Sequence, residues 1–213
     1  MPGSDRRYFV VGDIHGCYLK LKRLMEKLDW TPGGDDLLIF LGDYIDRGPQ
    51  SYEVIDTLAD LAERASNVVP LLGNHEEMFL SFLDGSLVPA SLYDNGLAAT
   101  VKTFSAPGQR LSLDHLRFLR DLVPFYETDD FIFVHAGLQP GLPLAGQSLN
   151  DLLWIRDEFL HSDFDFGKAV IFGHTPFKTP FLAPGRLGLD TGAVFGGPLT
   201  CAVLPELNFI TVD

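Results

Sequence analysis

The sequence predicts an α/β fold in which a mixed sheet, or two packed sheets, is flanked by helices. Three observations lead there. Short apolar runs rich in Val, Ile, Leu and Phe recur along the 213 residues, and runs this short and this apolar read as buried strands. The first three runs alternate with stretches of helical periodicity, which is the βαβ pattern. The last two, Leu199–Leu204 and Asn208–Val212, are neighbours across Pro205-Glu206 and read as an antiparallel pair.

In order, Arg7–Val11 is the first expected strand, followed by a helix carrying Leu21, Leu24, Met25 and Leu28 at i, i+3, i+4 and i+7. Cys17, near that helix's start, reads as a small packing residue. Pro32-Gly33-Gly34-Asp35-Asp36 is a loop by its turn residues. Leu37–Leu41 is the second strand, and Pro49 and Ser51 open a helix with Val54, Ile55, Leu58, Leu61 and Ala62 on one face. Val68–Leu72 is the third strand, after which His75 starts a helix whose first turn holds Glu76 and Glu77, as the helix dipole favours. Residues 85–124 change character. Gly85-Ser86, Asp94-Asn95-Gly96 and Ala106-Pro107-Gly108 punctuate helical stretches such as Leu116, Leu119 and Val123, an excursion expected over or beside the site. From Tyr126 on, strand signals return at Phe131–Val134, Ala169–Phe172 and Leu187–Leu189 before the closing pair.

Five of the apolar runs stop at a residue that can ligate a metal: YFVVGDIHG, LLIFLGDYIDR, VVPLLGNHE, FIFVHAG and AVIFGHT. Ligands collect at the C-terminal ends of strands in layered α/β folds, so Asp13, His15, Asp43, Asn74, His135 and His174 can converge. Oxygen ligands suit a hard divalent cation, and imidazole extends the choice to manganese, iron, zinc or nickel. Asp13, His15 and Asp43 supply one set and Asn74, His135 and His174 a second, with Asp43 able to bridge. Two metals about 3.5–4 Å apart suit phosphoryl hydrolysis. Beside them, His75 fits a general acid, Asp46 fits the carboxylate that orients and protonates it, and Arg47 is placed to fork onto phosphate. His115 and His161 follow no apolar strand and stay outside this set.

The formal charge of −13 argues against a nucleic-acid partner and against an anionic membrane surface, since both rest on many basic contacts. The cysteines, Cys17 and Cys201, make no disulfide framework. With no apolar signal core and no apolar run of spanning length, the expected location is the cytoplasm. Nothing assigns an oligomeric state, and a monomer is compatible with the sequence.

The chain resembles the phosphoprotein phosphatase family of metallophosphoesterases. The matching stretches, in the family's order, are GDIHG (12–16), GDYIDRG (42–48), GNHE (73–76), HAG (135–137) and GHT (173–175), and LDTGA (189–193) with GGPLT (196–200) looks like its closing strands. The resemblance implies one domain over residues 1–213 built on a β-sandwich of mixed sheets flanked by helices, with the helical excursion at about 85–124. It implies two divalent metals, manganese first and iron, zinc, nickel or magnesium as alternatives, and phosphate-ester hydrolysis by a metal-bridging hydroxide. Asp13, His15 and Asp43 match the ligands of one metal, and Asp43, Asn74, His135 and His174 those of the other. Asp46 and His75 match the acid dyad, and Arg47 a phosphate arginine. Asn74 also faces substrate on this reading, and Trp154-Ile155-Arg156 resembles the WxR segment that makes Arg156 the second phosphate arginine.

Pro176 stands where wider metallophosphoesterases carry a further metal-binding histidine after GHT. The intact Asp46-Arg47 pair favours the serine/threonine-phosphatase-like branch, with a phosphorylated protein or small phosphate ester as substrate. The length and the Gly16-Cys17 start also resemble diadenosine-tetraphosphate hydrolases, so symmetrical dinucleoside-tetraphosphate hydrolysis is the alternative. A fold that only binds phosphate would be expected to have lost a ligand or the acid, and none is missing.

Overall fold

The computed structural model describes residues 6–86 and 96–213. The N-terminal five residues and the Asp94-Asn95 part of the expected turn lie outside the described residues. Two five-stranded mixed sheets form the centre.

The first sheet runs β10-β9-β1-β2-β3, from β1 (Tyr8–Val11), β2 (Leu37–Phe40), β3 (Val68–Pro70), β9 (Leu199–Leu204) and β10 (Asn208–Val212). β1, β2 and β3 are parallel neighbours, with Val10 opposite Ile39 and Ile39 opposite Val69. β9 joins antiparallel to β1, and β10 to β9, as the closing pair predicts. The parallel neighbours are connected by α1 (Tyr18–Lys27) and α2 (Ser51–Arg64). The second sheet runs β4-β5-β6-β8-β7, from β4 (Phe125–Glu127), β5 (Phe131–Val134), β6 (Ala169–Phe172), β7 (Phe181–Ala183) and β8 (Arg186–Gly188).

Alternation along each strand builds the layers. Val10, Leu37, Ile39 and Leu41 of the first sheet pack on Phe133, Ile171, Leu187 and Leu189 of the second. The opposite faces of β1 and β2 send Phe9, Val11, Leu38 and Phe40 outward, where α1 and α2 cover them with α3 (Asn74–Leu83), α4 (Leu97–Phe104) and α5 (Leu113–Arg120). Ile132, Val134, Val170 and Phe172 on the outer face of the second sheet pack under α6 (Leu149–Trp154) and α7 (Asp157–Leu160). Phe40 is fully buried, and burial on that scale stabilises by about 1.5–3 kcal/mol per large side chain.

The expected elements are present with shifts of a residue or two. β3 ends at Pro70, and Leu71 and Leu72 turn toward Val123, whose carbonyl accepts the Leu72 N–H at 2.8 Å. α3 begins at Asn74, one residue ahead of the expected start. Within 85–124, the described part is helical over Leu97–Phe104 and Leu113–Arg120. The three-residue strands β4 and β7 went unread. Among the described residues, no helix is long and apolar enough to cross a membrane.

Candidate metal centre

The C-terminal ends of β1, β2, β3, β5, β6 and β8 lead directly into the stretches that carry the polar residues. Asp13, His15, Asp43, Asn74, His135 and His174 are all buried. Two donor groups share Asp43: His15, Asp43 and His75 in one, and Asp43, His135 and His174 in the other, each with donor atoms within 4.8 Å of one another. Five of the six expected ligands thus come together, Asn74 joining through His135 and His174, and Asp13 is the difference. Asp13 turns both carboxylate oxygens to the backbone N–H of His174, at 3.1 Å each, and His75 takes its place in the first group.

These loops are held in uncommon backbone. His15, Asp43, Asp46, Arg47 and His174 all have positive φ, between 44° and 69°, a conformation that costs roughly 1–3 kcal/mol for a residue with a Cβ. The approach of loops requires glycine in places. A Cβ on Gly42 would lie 2.7 Å from the Gly73 backbone, and one on Gly12 would lie 2.2 Å from the Leu189 carbonyl oxygen. The first contact brings the Asp43 and Asn74 loops together, and the second brings Asp190 beside Asp13.

Glu76 stabilises the strained turn. Its carboxylate accepts from the backbone N–H groups of Asp43 (2.9 Å), Tyr44 (2.8 Å), Ile45 (3.2 Å) and Gly73 (3.2 Å). The sequence marks Glu76 by the helix dipole and the GNHE stretch, and neither gives it this clamping role. Burial and the Asp43 charge push its carboxyl up to about 8, against His75 and the N–H groups of Tyr44 and Ile45. All four partners donate, so the arrangement requires the ionised form.

His15 donates from Nδ1 to the Ile45 carbonyl at 2.7 Å, and His135 from Nδ1 to the Leu41 carbonyl at 2.8 Å. With Nδ1 donating, the neutral form of either ring carries its lone pair on Nε2. His15 Nε2 faces Asp43 Oδ2 at 3.3 Å, and His135 Nε2 faces Asn74 Oδ1 at 2.9 Å and Asp43 Oδ1 at 3.3 Å. In the neutral form His135 Nε2 therefore faces two acceptor oxygens, whereas His15 Nε2 also meets the Arg47 guanidinium. The His174 ring has Nδ1 3.1 Å from Asn74 Oδ1, while its buried Nε2 has no partner. Burial, reinforced by His135, pushes His174 down to about 2, and burial also lowers His135.

The carboxylates tell the same story. Burial opposes ionisation of Asp43, but His135, His75 and His15 hold it well below the usual range. Asp13 is pushed well above that range by burial and by the charges of Asp190 and Asp43. Asp190, read in the sequence only as part of a closing strand, is buried and also raised, first by burial. Crowded carboxylates, with the His135 and His174 imidazoles pushed toward the neutral form by burial, make a donor set that fits divalent cations. A cation beside Asp43 would also relieve the charge that opposes ionised Glu76.

His75 Nδ1 lies 2.6 Å from Asp46 Oδ2, and its Nε2 lies 3.8 Å from Asp43 Oδ2. Burial alone would lower the His75 pKa, yet the charge of Asp43 and the hydrogen bond to Asp46 raise it. Asp46 is fixed in turn by Thr100 of α4, whose hydroxyl donates to Asp46 Oδ1 at 2.5 Å and accepts the Asp46 N–H at 2.9 Å. No local signal marked Thr100.

The guanidinium of Arg47 sits against His15 Nε2 and under the ring of Phe195, with Cζ 5.6 Å from the centroid. Arg156 is exposed and donates to Thr175 Oγ1 at 3.3 Å, beside His174. His115 and His161 lie apart from this cluster. His115 is buried against Asp56 at 3.1 Å and closes the N-terminus of α5 with Ser112, and His161 is exposed near Asp157. Cys17 is half-buried at the start of α1, and burial raises its pKa.

Residues 6–210 match the family model described as calcineurin-like phosphoesterase. Relatives named asymmetrical bis(5'-nucleosyl)-tetraphosphatase PrpE occur in a Geobacillus species and in Bacillus velezensis. The first is 31% identical over 232 residues, covering 95% of this chain and 92% of the relative. The second is 32% identical over 235 residues, covering 97% and 92%. A crystal structure of a provisionally named diadenosine tetraphosphatase superposes with a TM-score of 0.75 at 25% identity, covering all of this chain and 95% of that one. The fold is shared with a cold-active protein-tyrosine phosphatase of a Shewanella species, at a TM-score of 0.64 and 17% identity, over 100% of this chain and 83% of that one.

Proposed function

The chain belongs to the calcineurin-like phosphoesterases, a family of metal-dependent hydrolases, and from that premise we propose that it hydrolyses dinucleoside tetraphosphates off-centre. Asymmetrical cleavage releases a nucleoside monophosphate and a nucleoside triphosphate, where the symmetrical alternative releases two diphosphates. The observation that carries the reading is the convergence of two donor groups on Asp43 with the His75–Asp46 pair facing the same carboxylate. The choice of substrate is supported by relatives of that name matched over nearly their whole length.

Asp13, His15 and Asp43 would hold one divalent ion, and Asp43, Asn74, His135 and His174 the other. Manganese leads on a mixed oxygen and imidazole set, with iron, zinc, nickel or magnesium as alternatives. When bound, the metals supply Lewis-acid polarisation of the phosphoryl group and make water acidic enough to attack. Arg47 and Arg156 bind phosphate oxygens, and Arg47 is positioned for it beside His15. The Asn74 amide orients the same group. His75 delivers a proton from Nε2 to the leaving oxygen, while Asp46 holds Nδ1 and keeps the ring charged until transfer. Residence in the cytoplasm is supported by the free thiols Cys17 and Cys201.

A second reading, hydrolysis of serine and threonine phosphoesters in proteins, is favoured by the intact Asp46, Arg47 and His75 set. Measuring kcat/KM for diadenosine tetraphosphate and for a phosphoserine peptide, with chromatography of the nucleotide products, separates the readings. AMP and ATP in equal amounts at the higher kcat/KM is the expected result. A preference for the peptide would establish the second reading, and ADP alone would establish symmetrical cleavage.

A further inference from the structure

Phe195 and Trp154 are large aromatic side chains that the fold keeps in solvent at 67% and 38% exposure, and each stands at the metal centre. Phe195 closes the short 3-10 turn Ala193–Phe195 between Gly192 and Gly196, both with positive φ. That turn is tied down: the N–H groups of Phe195 and Gly197 both donate to the Gly192 carbonyl at 2.9 Å, and Lys20 Nζ donates to the Gly197 carbonyl at 2.6 Å. The ring is therefore presented on a closed loop, over the guanidinium of Arg47. Trp154 ends α6 and meets the His174 ring edge to face, with centroids 5.9 Å apart. Arg156 follows two residues later against Thr175.

A ring near an arginine thus occurs twice, in contact at Phe195 and Arg47 and two residues apart in sequence at Trp154 and Arg156. An exposed ring and an arginine stand beside His15 of one donor group, and another ring and arginine beside His174 of the other. Arginine recognises phosphate, and an exposed ring recognises the face of another planar π-system. A phosphoserine side chain offers nothing planar for either ring, whereas a polyphosphate chain with a nucleobase at each end offers both partners in order. We infer that Phe195 with Arg47 and Trp154 with Arg156 form two nucleobase platforms, one on each side of the metal centre, which make the enzyme select dinucleotides. This deepens the dinucleotide reading and rests on it. Stacking on an aromatic side chain tolerates any base, so the platforms select dinucleoside polyphosphates as a class rather than adenine.

The test uses the metal-loaded protein, its F195A and W154A variants, and the ring-preserving F195Y and W154F. Titration calorimetry measures binding of a methylene-bridged, non-hydrolysable diadenosine tetraphosphate and of inorganic tetrapolyphosphate, the same chain without bases. Each alanine variant is expected to weaken the dinucleotide roughly 5- to 150-fold, to narrow its advantage over tetrapolyphosphate, and to be rescued by its ring-preserving counterpart. Equal weakening of both ligands, an unchanged dinucleotide Kd, or failure of the wild type to bind the analogue would overturn the platforms. Turnover of hydrolysable diadenosine tetraphosphate separates the two readings. Ring-dependent binding without turnover sinks the reaction, and turnover with ring-independent binding sinks the platforms.

Discussion

The Thr100 hydroxyl donates to Asp46 Oδ1 at 2.5 Å, across 54 residues of sequence, while Asp46 Oδ2 holds His75 at 2.6 Å. The helix from the 85–124 excursion thereby fixes one end of the proposed acid dyad. Thr100→Val keeps the shape and removes the hydroxyl, leaving a buried carboxylate oxygen without its donor and the Asp46 N–H with only Ser51 Oγ, at 3.2 Å. Thermal unfolding should report a loss of roughly 1–3 kcal/mol, and kcat should fall with it. Thr100→Ser should restore both; failure of that rescue would show that the methyl group matters more than the hydroxyl.

His75→Asn removes the proposed proton donor but none of the six proposed ligands. The expected result is a drop in kcat of about 10²–10⁴-fold with close to two metal ions per chain retained, as read by elemental analysis. Loss of metal in that variant would give His75 a ligand's role instead, consistent with its place in the first donor group.

The pH dependence has a definite sign. His75 is held above the ordinary histidine range, because Asp43 and Asp46 outweigh burial. Activity that needs the protonated ring is present below that raised pKa and falls as pH rises through it. Asp46→Asn removes one of the raising groups, so the alkaline limb of the kcat profile should move to lower pH. A limb that stays in place would assign it to a group other than His75.

Glu76→Gln turns one end of an acceptor that serves four backbone donors into a donor facing them. A stability loss of roughly 1.5–3 kcal/mol is expected, together with weaker metal binding, because the Asp43 turn relaxes from its positive φ. Chemical denaturation and metal titration measure the two effects, and normal metal affinity in a destabilised variant would separate the clamp from the centre.

Much of this was legible because strand and ligand signals are adjacent in sequence. Each of β1, β2, β5 and β6 runs into its GD, HAG or GHT stretch within a few residues, so convergence followed from the fold class. The Asp46–His75 contact was legible for the same reason. Glu76, Thr100 and Asp190 were not, because what each does depends on partners brought near only by folding: Glu76 reaches a turn 31 to 33 residues away. β4 and β7 were missed because three-residue strands carry too little periodicity. Phe195 carries no signal in the sequence and Trp154 only that of the Trp154-Ile155-Arg156 stretch, because the exposure of both rings is set by folding.

The most direct measurement is turnover of diadenosine tetraphosphate by metal-stripped protein, before and after adding Mn²⁺, with Asp43→Asn measured alongside. The expected result is no turnover without metal, recovery of AMP and ATP production in the wild type, and none in the variant at the same Mn²⁺ concentration. Turnover by stripped protein, or a variant as active as the wild type, would contradict a metal centre built on Asp43.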